Sequence, residues 1–284
     1  MKVLTLGGTS VSGKSFARCL AALRPDAAVV DLRRSDVEGT AQSLARIEEI
    51  QERLRHAISE HSPTHIINFL GSISNDFAAD LRANVQIPQS LLHATAKAAP
   101  SASVVLIGSA AEYGSIEDSS RPVEETHPLC PTSAYGVTKA MQSYLIPFYA
   151  KHHKLNVKLA RTFNILAPGL SSKLFVGRVY EQIAEIRKGS REVIEVGPLL
   201  DERDYISADL ACRDYLRILL HGSAGEVYNV CSGDPISMER LLARILEQEG
   251  LLKVEVVRLS SIPRSGVPRI FGSRAKVDRL KSIE

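Results

Sequence analysis

Tyr135-Gly136-Val137-Thr138-Lys139 sets a phenol and an ammonium at i and i+4, the spacing that brings two side chains to one face of a helix. A phenol can give a proton to a carbonyl oxygen. A nearby positive charge favours the phenolate, so this pairing predicts a Tyr135 that titrates below its reference value of about 10. Ser109 follows an apolar run at 104–108 that reads as a strand. Open α/β sheets hold their ligands at the carboxyl ends of strands, where the Ser109 hydroxyl could bond the oxygen that Tyr135 protonates. Ser109, Tyr135 and Lys139 together suit hydride and proton transfer at a carbonyl.

A second group could hold phosphates. Gly7, Ser10 and Gly13 lie between an apolar run at 2–6 and a helical pattern at 15–23. Such a turn brings backbone N–H groups and a helix N-terminus to a pyrophosphate, with Ser10 and Val11 beside it. The same residues also spell Gly8-x-x-x-x-Gly13-Lys14-Ser15, a P-loop pattern in which Lys14 would reach phosphates and Ser15 a magnesium ion. Asp31 and Leu32 end the next strand. An acid there can accept both hydroxyls of an adenine ribose, which favours NAD(H). Arg33 and Arg34 follow, and a guanidinium can pair with a 2′-phosphate, so NADP(H) is the alternative.

These residues need a scaffold, and the apolar spacing supplies one. Strands are expected at 2–6, 27–32, 65–70, 103–108 and 157–161, and helices at 15–23, 44–58, 79–98 and 134–152. Strands alternating with helices imply a doubly wound parallel sheet of Rossmann type. Beyond Pro168 the segments shorten and carry more charge and proline. We therefore expect a dinucleotide-binding domain at 1–168 and a smaller, mainly substrate-binding lobe at 169–284, with 227–231 returning to the main sheet. A helix is expected at 171–189.

Composition narrows the classes. The chain has 284 residues, 44% of them hydrophobic and 24% charged, as in ordinary globular proteins. Thirty-five basic residues against 32 acidic ones leave a net charge of +3, too balanced to suggest nucleic acid. No stretch has the ~18 apolar residues of a membrane helix, and no signal peptide is read at Met1, so a cytoplasmic protein is expected. The four cysteines form no CxxC pair, and neither a disulfide framework nor a metal site is expected.

Several stretches carry a family resemblance. They are the 7–13 turn, Asn68-Phe69-Leu70-Gly71, Asn84-Val85, residues 107–114 around Ser109, Tyr135 to Lys139, Arg161-Thr162-Phe163-Asn164 and Arg203-Asp204-Tyr205. The chain resembles the extended short-chain dehydrogenases/reductases of the NAD-dependent epimerase/dehydratase family, whose members act on nucleotide sugars. The P-loop reading explains none of these stretches. The resemblance implies Ser109, Tyr135 and Lys139 as catalytic residues. It places the cofactor on Gly7, Ser10, Val11, Gly13, Asp31, Leu32, Arg33, Leu70, Gly71, Tyr135 and Lys139, and the substrate on Ser109, Asn164 and Arg203. Arg203 could instead be an Arg–Asp pair with Asp201 or Asp204.

Family dehydratases place acids directly after the catalytic Ser/Thr, where this chain has Ala110 and Ala111, and Glu112 lies one position further along. Dehydration is therefore not expected. Residues 163–169, 175–176, 182–186, 196–199, 203–205 and 225–233 resemble GDP-4-keto-6-deoxy-mannose reductases, which implies reduction of a 4-keto-6-deoxy sugar nucleotide. Departures are Pro198, Leu70 and a shifted Pro263-Arg264. A nucleotide-sugar 4-epimerase with bound NAD is the alternative, and a non-catalytic dinucleotide-binding protein is a further one. The resemblance also implies a homodimer through the helices at 79–98 and 134–152.

Overall fold

The structure is a computed structural model that describes residues 1–284 except 41, 42, 45, 75, 260–267 and 284, and except the side chains of 40, 43 and 44. The first elements are β1 (Lys2–Leu6), α1 (Val11–Leu23), β2 (Ala28–Leu32), α2 (Arg34–Glu38), β3 (Gly39–Thr40), β4 (Ser43–Leu44), α3 (Ile47–His61) and β5 (His65–Asn68). Next come α4 (Phe77–Leu81), a π-helical turn at Arg82–Gln86, α5 (Ile87–Ala98), β6 (Ser103–Ser109) and a 3₁₀ turn at Ala110–Glu112. They lead into α6 (Ala134–His152), β7 (Asn156–Thr162), β8 (Asn164–Leu166) and α7 (Phe175–Arg187). The rest is β9 (Val193–Val196), β10 (Glu202–Ser207), α8 (Ala208–His221), β11 (Val227–Val230), β12 (Pro235–Ser237), α9 (Met238–Gln248), β13 (Glu255–Arg258), β14 (Arg269–Ile270) and α10 (Ala275–Asp278).

Six strands form one parallel sheet in the order β11-β7-β6-β5-β1-β2. Alternate side chains of a strand point to opposite faces, and both faces here are apolar. Leu4, Leu6, Ile66, Val104, Leu106, Val157 and Leu159 face α3, α5 and α6. Val3, Ile67, Val105 and Ala160 face the other way, onto Phe16 of α1 and Tyr215 and Leu219 of α8. A further core of Val179, Ile183, Ile194, Leu241, Leu242 and Ile245 joins α7, β9 and α9. The order reverses between β1 and β5, and a crevice opens at such a switch point beyond the strand ends.

Local chemistry fixes the pieces that border the crevice. Ser10 caps α1, its Oγ accepting from Gly13 N at 3.1 Å, so the helix begins at Val11, before the helical pattern at 15–23. Gly7 has φ +74°, a conformation suited to glycine, and Leu70 lies against it. The expected helix at 79–98 is interrupted at Arg82–Gln86, just ahead of Pro88, which has no N–H for the α-helical ladder.

Gly13 is the tightest point of the turn: a Cβ there would lie 2.6 Å from Gly8 Cα and 2.7 Å from Gly7 O. Gly13→Ala is expected to cost about 1–3 kcal/mol, the usual cost of overpacking. The urea midpoint measures it, and an unchanged midpoint would contradict this packing.

Candidate active site

β6 ends at Ser109, whose backbone is still extended, and the 3₁₀ turn carries the chain away. Ser109 Oγ accepts from Ala111 N at 3.2 Å and lines the same cavity as the neighbouring Tyr135 side chain. Ser109 N donates to Glu112 Oε1 at 2.8 Å. Glu112 is fully buried, pairs with Arg161 Nε at 2.8 Å and also accepts from Ser143 Oγ. Its carboxylate is engaged behind the strand end, whereas Ala110 and Ala111 line the crevice.

Tyr135 lies in the first turn of α6, where Ser133 Oγ caps the helix by accepting from Gly136 N at 3.1 Å. Burial pushes the Tyr135 phenol up to about 12, with the neighbouring Ser109 hydroxyl acting the other way. The lowering expected from Lys139 does not occur. Lys139 Nζ donates to Ile107 O at 2.9 Å and Gln142 Oε1 at 3.0 Å instead. Burial brings Lys139 down to about 8, although the Glu112 and Asp80 carboxylates favour its charged form. Tyr135 thus keeps its proton at neutral pH, the state that a donor to a developing alkoxide requires.

A cavity of about 540 Å³ joins Ser12, Ser109, Tyr135, Asn164 and Arg203, with Ile73, Leu170, Leu174 and Ile270 among its apolar walls. A second cavity of about 330 Å³ shares Asn164 and Arg203 and continues to Lys173, Arg178, Gly197, Pro198, Asp201 and Tyr205. Asn164 Nδ2 donates to Asp204 O at 3.0 Å. Arg203 is paired with Asp201 at 3.3 Å and donates to Glu202 O at 2.7 Å, yet it lines both cavities. Asp204 is engaged elsewhere, accepting from Ser232, Gly233 and Gly272. Sequence reasoning missed Lys173 and Arg178; Lys173, between the Pro168-Gly169 turn and α7, was the one with a signal. Pro263-Arg264 lies outside the described residues.

The glycine turn and β2 form the other end of the crevice. Gly7 N donates to Leu32 O at 2.9 Å, and Asp31 Oδ1 accepts from Gly8 N and Thr5 Oγ1, each at 2.7 Å. Asp31 and Arg33 are exposed. Arg34 reaches across to Gly71 O at 2.7 Å and pairs with Glu38 at 3.2 Å. Leu70 is buried beneath Gly7, and a Cβ on Gly71 would come within 3.4 Å of Lys139 Nζ. Ser10 and Val11 border a separate cavity of about 570 Å³ with Lys14 and Ser15. Ser15 is buried, and its Oγ accepts from Arg18 at 3.0 Å, which leaves the P-loop role for it unsupported.

A profile of the NAD dependent epimerase/dehydratase family matches residues 3–231. The chain belongs to that family. It is 29% identical over 204 residues to a GDP-6-deoxy-D-mannose reductase of Pseudomonas aeruginosa, covering 71% of this chain and 67% of that one. It is equally similar to a dTDP-glucose 4,6-dehydratase of Streptomyces griseus, 29% over 175 residues, but there the match covers 62% of this chain and only 51% of the dehydratase. In three dimensions it superposes on RMD from Pseudomonas aeruginosa complexed with NADPH, with TM-score 0.82, 24% identity and coverage of 98% and 91%. A UDP-glucose 4-epimerase of Thermotoga maritima gives TM-score 0.82 at 21% identity, with coverage of 99% and 94%.

The family's NAD(P) fits this crevice: Gly7, left-handed, and Gly13, close-packed, keep side chains out of the turn that leads into α1, so that a pyrophosphate could approach the backbone there. Asp31, exposed at the end of β2 with Oδ1 held by the turn, would be the residue to hold the adenine ribose.

A pH dependence follows from Lys139. Below about pH 8 its ammonium is charged, and as pH rises through that value the charge is lost. Because Tyr135 stays protonated until about 12, turnover of a ketone is expected to be level below pH 8 and to fall about tenfold per unit above it. The pH profile of kcat/KM measures this, and Lys139→Arg, which stays charged, should lack the falling limb.

Proposed function

We propose that this enzyme reduces the keto group of a 4-keto-6-deoxy sugar nucleotide. The observation that carries the reading is the 540 Å³ cavity, where the Ser109 and Tyr135 hydroxyls meet and no carboxylate lines the wall among the described residues. Eliminating water from a sugar needs an acid and a base beside the ring, and the nearest candidate, Glu112, is held by Arg161 and Ser143. Reduction needs only a hydride and one proton.

The cofactor supplies the hydride to the carbonyl carbon. Ser109 donates a hydrogen bond to the carbonyl oxygen and orients it. Tyr135 delivers its Oη proton to that oxygen as the C=O π bond breaks, leaving an alcohol. Lys139, beside Gly71, holds the nicotinamide ribose. Asn164 and Arg203 hold the sugar nucleotide where the two cavities join, and Lys173 and Arg178 add positive charge for its diphosphate.

Tyr135→Phe removes the proton and keeps the ring. Turnover of a 4-keto nucleotide sugar is expected to fall by about a hundredfold or more, while dinucleotide affinity changes little. Ser109→Ala should fall less. Stopped-turnover assays following oxidation of the reduced cofactor test both, and near-normal turnover in Tyr135→Phe would refute the assignment. An epimerase would instead interconvert sugars with no net consumption of reduced cofactor.

The partner proposed for this chain is a second copy. Of the side chains expected at the interface, Leu91, Leu92, Ala94 and Ile146 are buried in the sheet-facing core. The face left open is narrower: Met141, Tyr144 and Phe148 of α6 are 40%, 69% and 49% exposed along one stripe. Apolar side chains at this spacing suit a helix–helix contact. Tyr144→Glu is expected to convert a dimer to a monomer in sedimentation at micromolar concentration; a monomeric wild type would refute the interface.

A further inference from the structure

Tyr215 of α8 is a buried phenol that the chemistry above does not use. It is fully buried, packs edge-on to Phe69 at 5.9 Å between ring centroids, and borders the same cavity as Ser109 and Tyr135. Its hydroxyl lies 3.0 Å from Thr162 Oγ1, its one hydrogen-bond partner among the described residues. Thr162 closes β7 opposite Ser109 in register and also lines the cavity.

Counting protons fixes what this pair can offer. Thr162 Oγ1 lies 3.1 Å from Ala160 O, and a carbonyl can only accept, so the threonine proton goes there. The Tyr215 proton must then go to Thr162 Oγ1. Both hydroxyl protons are used inside the wall, and the pair presents only lone pairs to the cavity. Burial drives the Tyr215 pKa upward, so the phenol keeps its proton.

A cavity floor that accepts but cannot donate calls for a neutral N–H or O–H donor. A dinucleotide held at Gly7–Gly13 must extend its nicotinamide ring past Ser12 to reach Tyr135, and Thr162 and Tyr215 border that path. The sugar comes from the other side, past Asn164 and Arg203. We infer that Thr162 Oγ1, polarised and oriented by the Tyr215 hydroxyl, accepts a hydrogen bond from the carboxamide NH₂ of the nicotinamide ring. Thr162 touches the cofactor, and Tyr215 is a positioning residue that acts through it. The inference rests on the dinucleotide occupying this crevice and goes beyond the roles of Ser109, Tyr135 and Lys139.

The test is a set of dissociation constants measured by titration calorimetry, with no turnover required. The ligands are the oxidised dinucleotide that the wild type binds, its 3-acetylpyridine analogue, which has a methyl in place of the NH₂, and the matching ADP-ribose, which lacks the ring. The wild type should favour the natural dinucleotide over the acetyl analogue by about three- to tenfold, the worth of one hydrogen bond. Thr162→Val should abolish that preference and leave ADP-ribose affinity within about twofold. Tyr215→Phe should reduce the preference by a smaller factor, because the threonine hydroxyl is then free to turn. A preference unchanged in Thr162→Val, or an equal loss for ADP-ribose, would overturn the inference. A wild type that binds ADP-ribose but shows no preference between the two dinucleotides overturns it as well, with the cofactor site intact. A wild type that binds none of the three overturns the cofactor site too.

Discussion

Glu112 and Arg161 are withdrawn from water together, 2.8 Å apart and directly behind Ser109, and the reactive edge of the sheet is built around them. Removing two charges from water costs several kcal/mol per ion, and only complete hydrogen bonding offsets it. Here Glu112 takes Ser109 N, Arg161 Nε and Ser143 Oγ. Arg161 reaches Tyr113 Oη at 2.9 Å and lies over the Tyr113 ring at 4.6 Å. Tyr113 in turn donates to Asn229 at 2.7 Å, and Asn229 N donates to Glu125 at 2.8 Å. The end of β6, the middle of α6, β7 and β11 are tied into one polar unit. Ser109 inherits its position from that unit.

The same unit sets the chemical character of the crevice. A carboxylate engaged in the wall cannot serve as acid or base toward a ring, and the two positions between it and Ser109 are alanines. At the strand end beside it are the Ser109 hydroxyl and the Tyr135 phenol, the latter kept protonated by its burial. Lys139 is equally withdrawn, but its Nζ bonds to Ile107 O and Gln142 Oε1 rather than to the phenol. Proton donation and positive charge are thus separated along one turn of α6.

Much of this was legible in the chain because it depends on local pattern. Apolar residues fill both parities of the central strands, which signals a parallel sheet covered on two sides, and Ser109, Tyr135 and Lys139 fall at strand-end and helical positions that pattern alone locates. What escaped depends on partners distant in sequence. The ammonium of Lys139 was expected on Tyr135, and only the approach of the β6 backbone shows where it goes. Arg161 read as part of a motif, but its partnership with Glu112 needed β6 and β7 side by side. Lys173 and Arg178 fall in the stretch expected to be helical, but that they border one cavity with Asn164 and Arg203 depends on tertiary packing that the helical pattern does not contain.

Asp31 has one more consequence, for anyone who would redesign the protein. Its carboxylate fastens the glycine turn to β1 through Gly8 N and Thr5 Oγ1 while remaining exposed at the end of β2. If Asp31 also meets the cofactor's ribose, as proposed, recognition of that sugar and the shape of the glycine turn share one side chain. Replacing it to admit a 2′-phosphate would also release the glycine turn from β1. A switch of dinucleotide would need a second change that gives the Gly8 N–H a new acceptor.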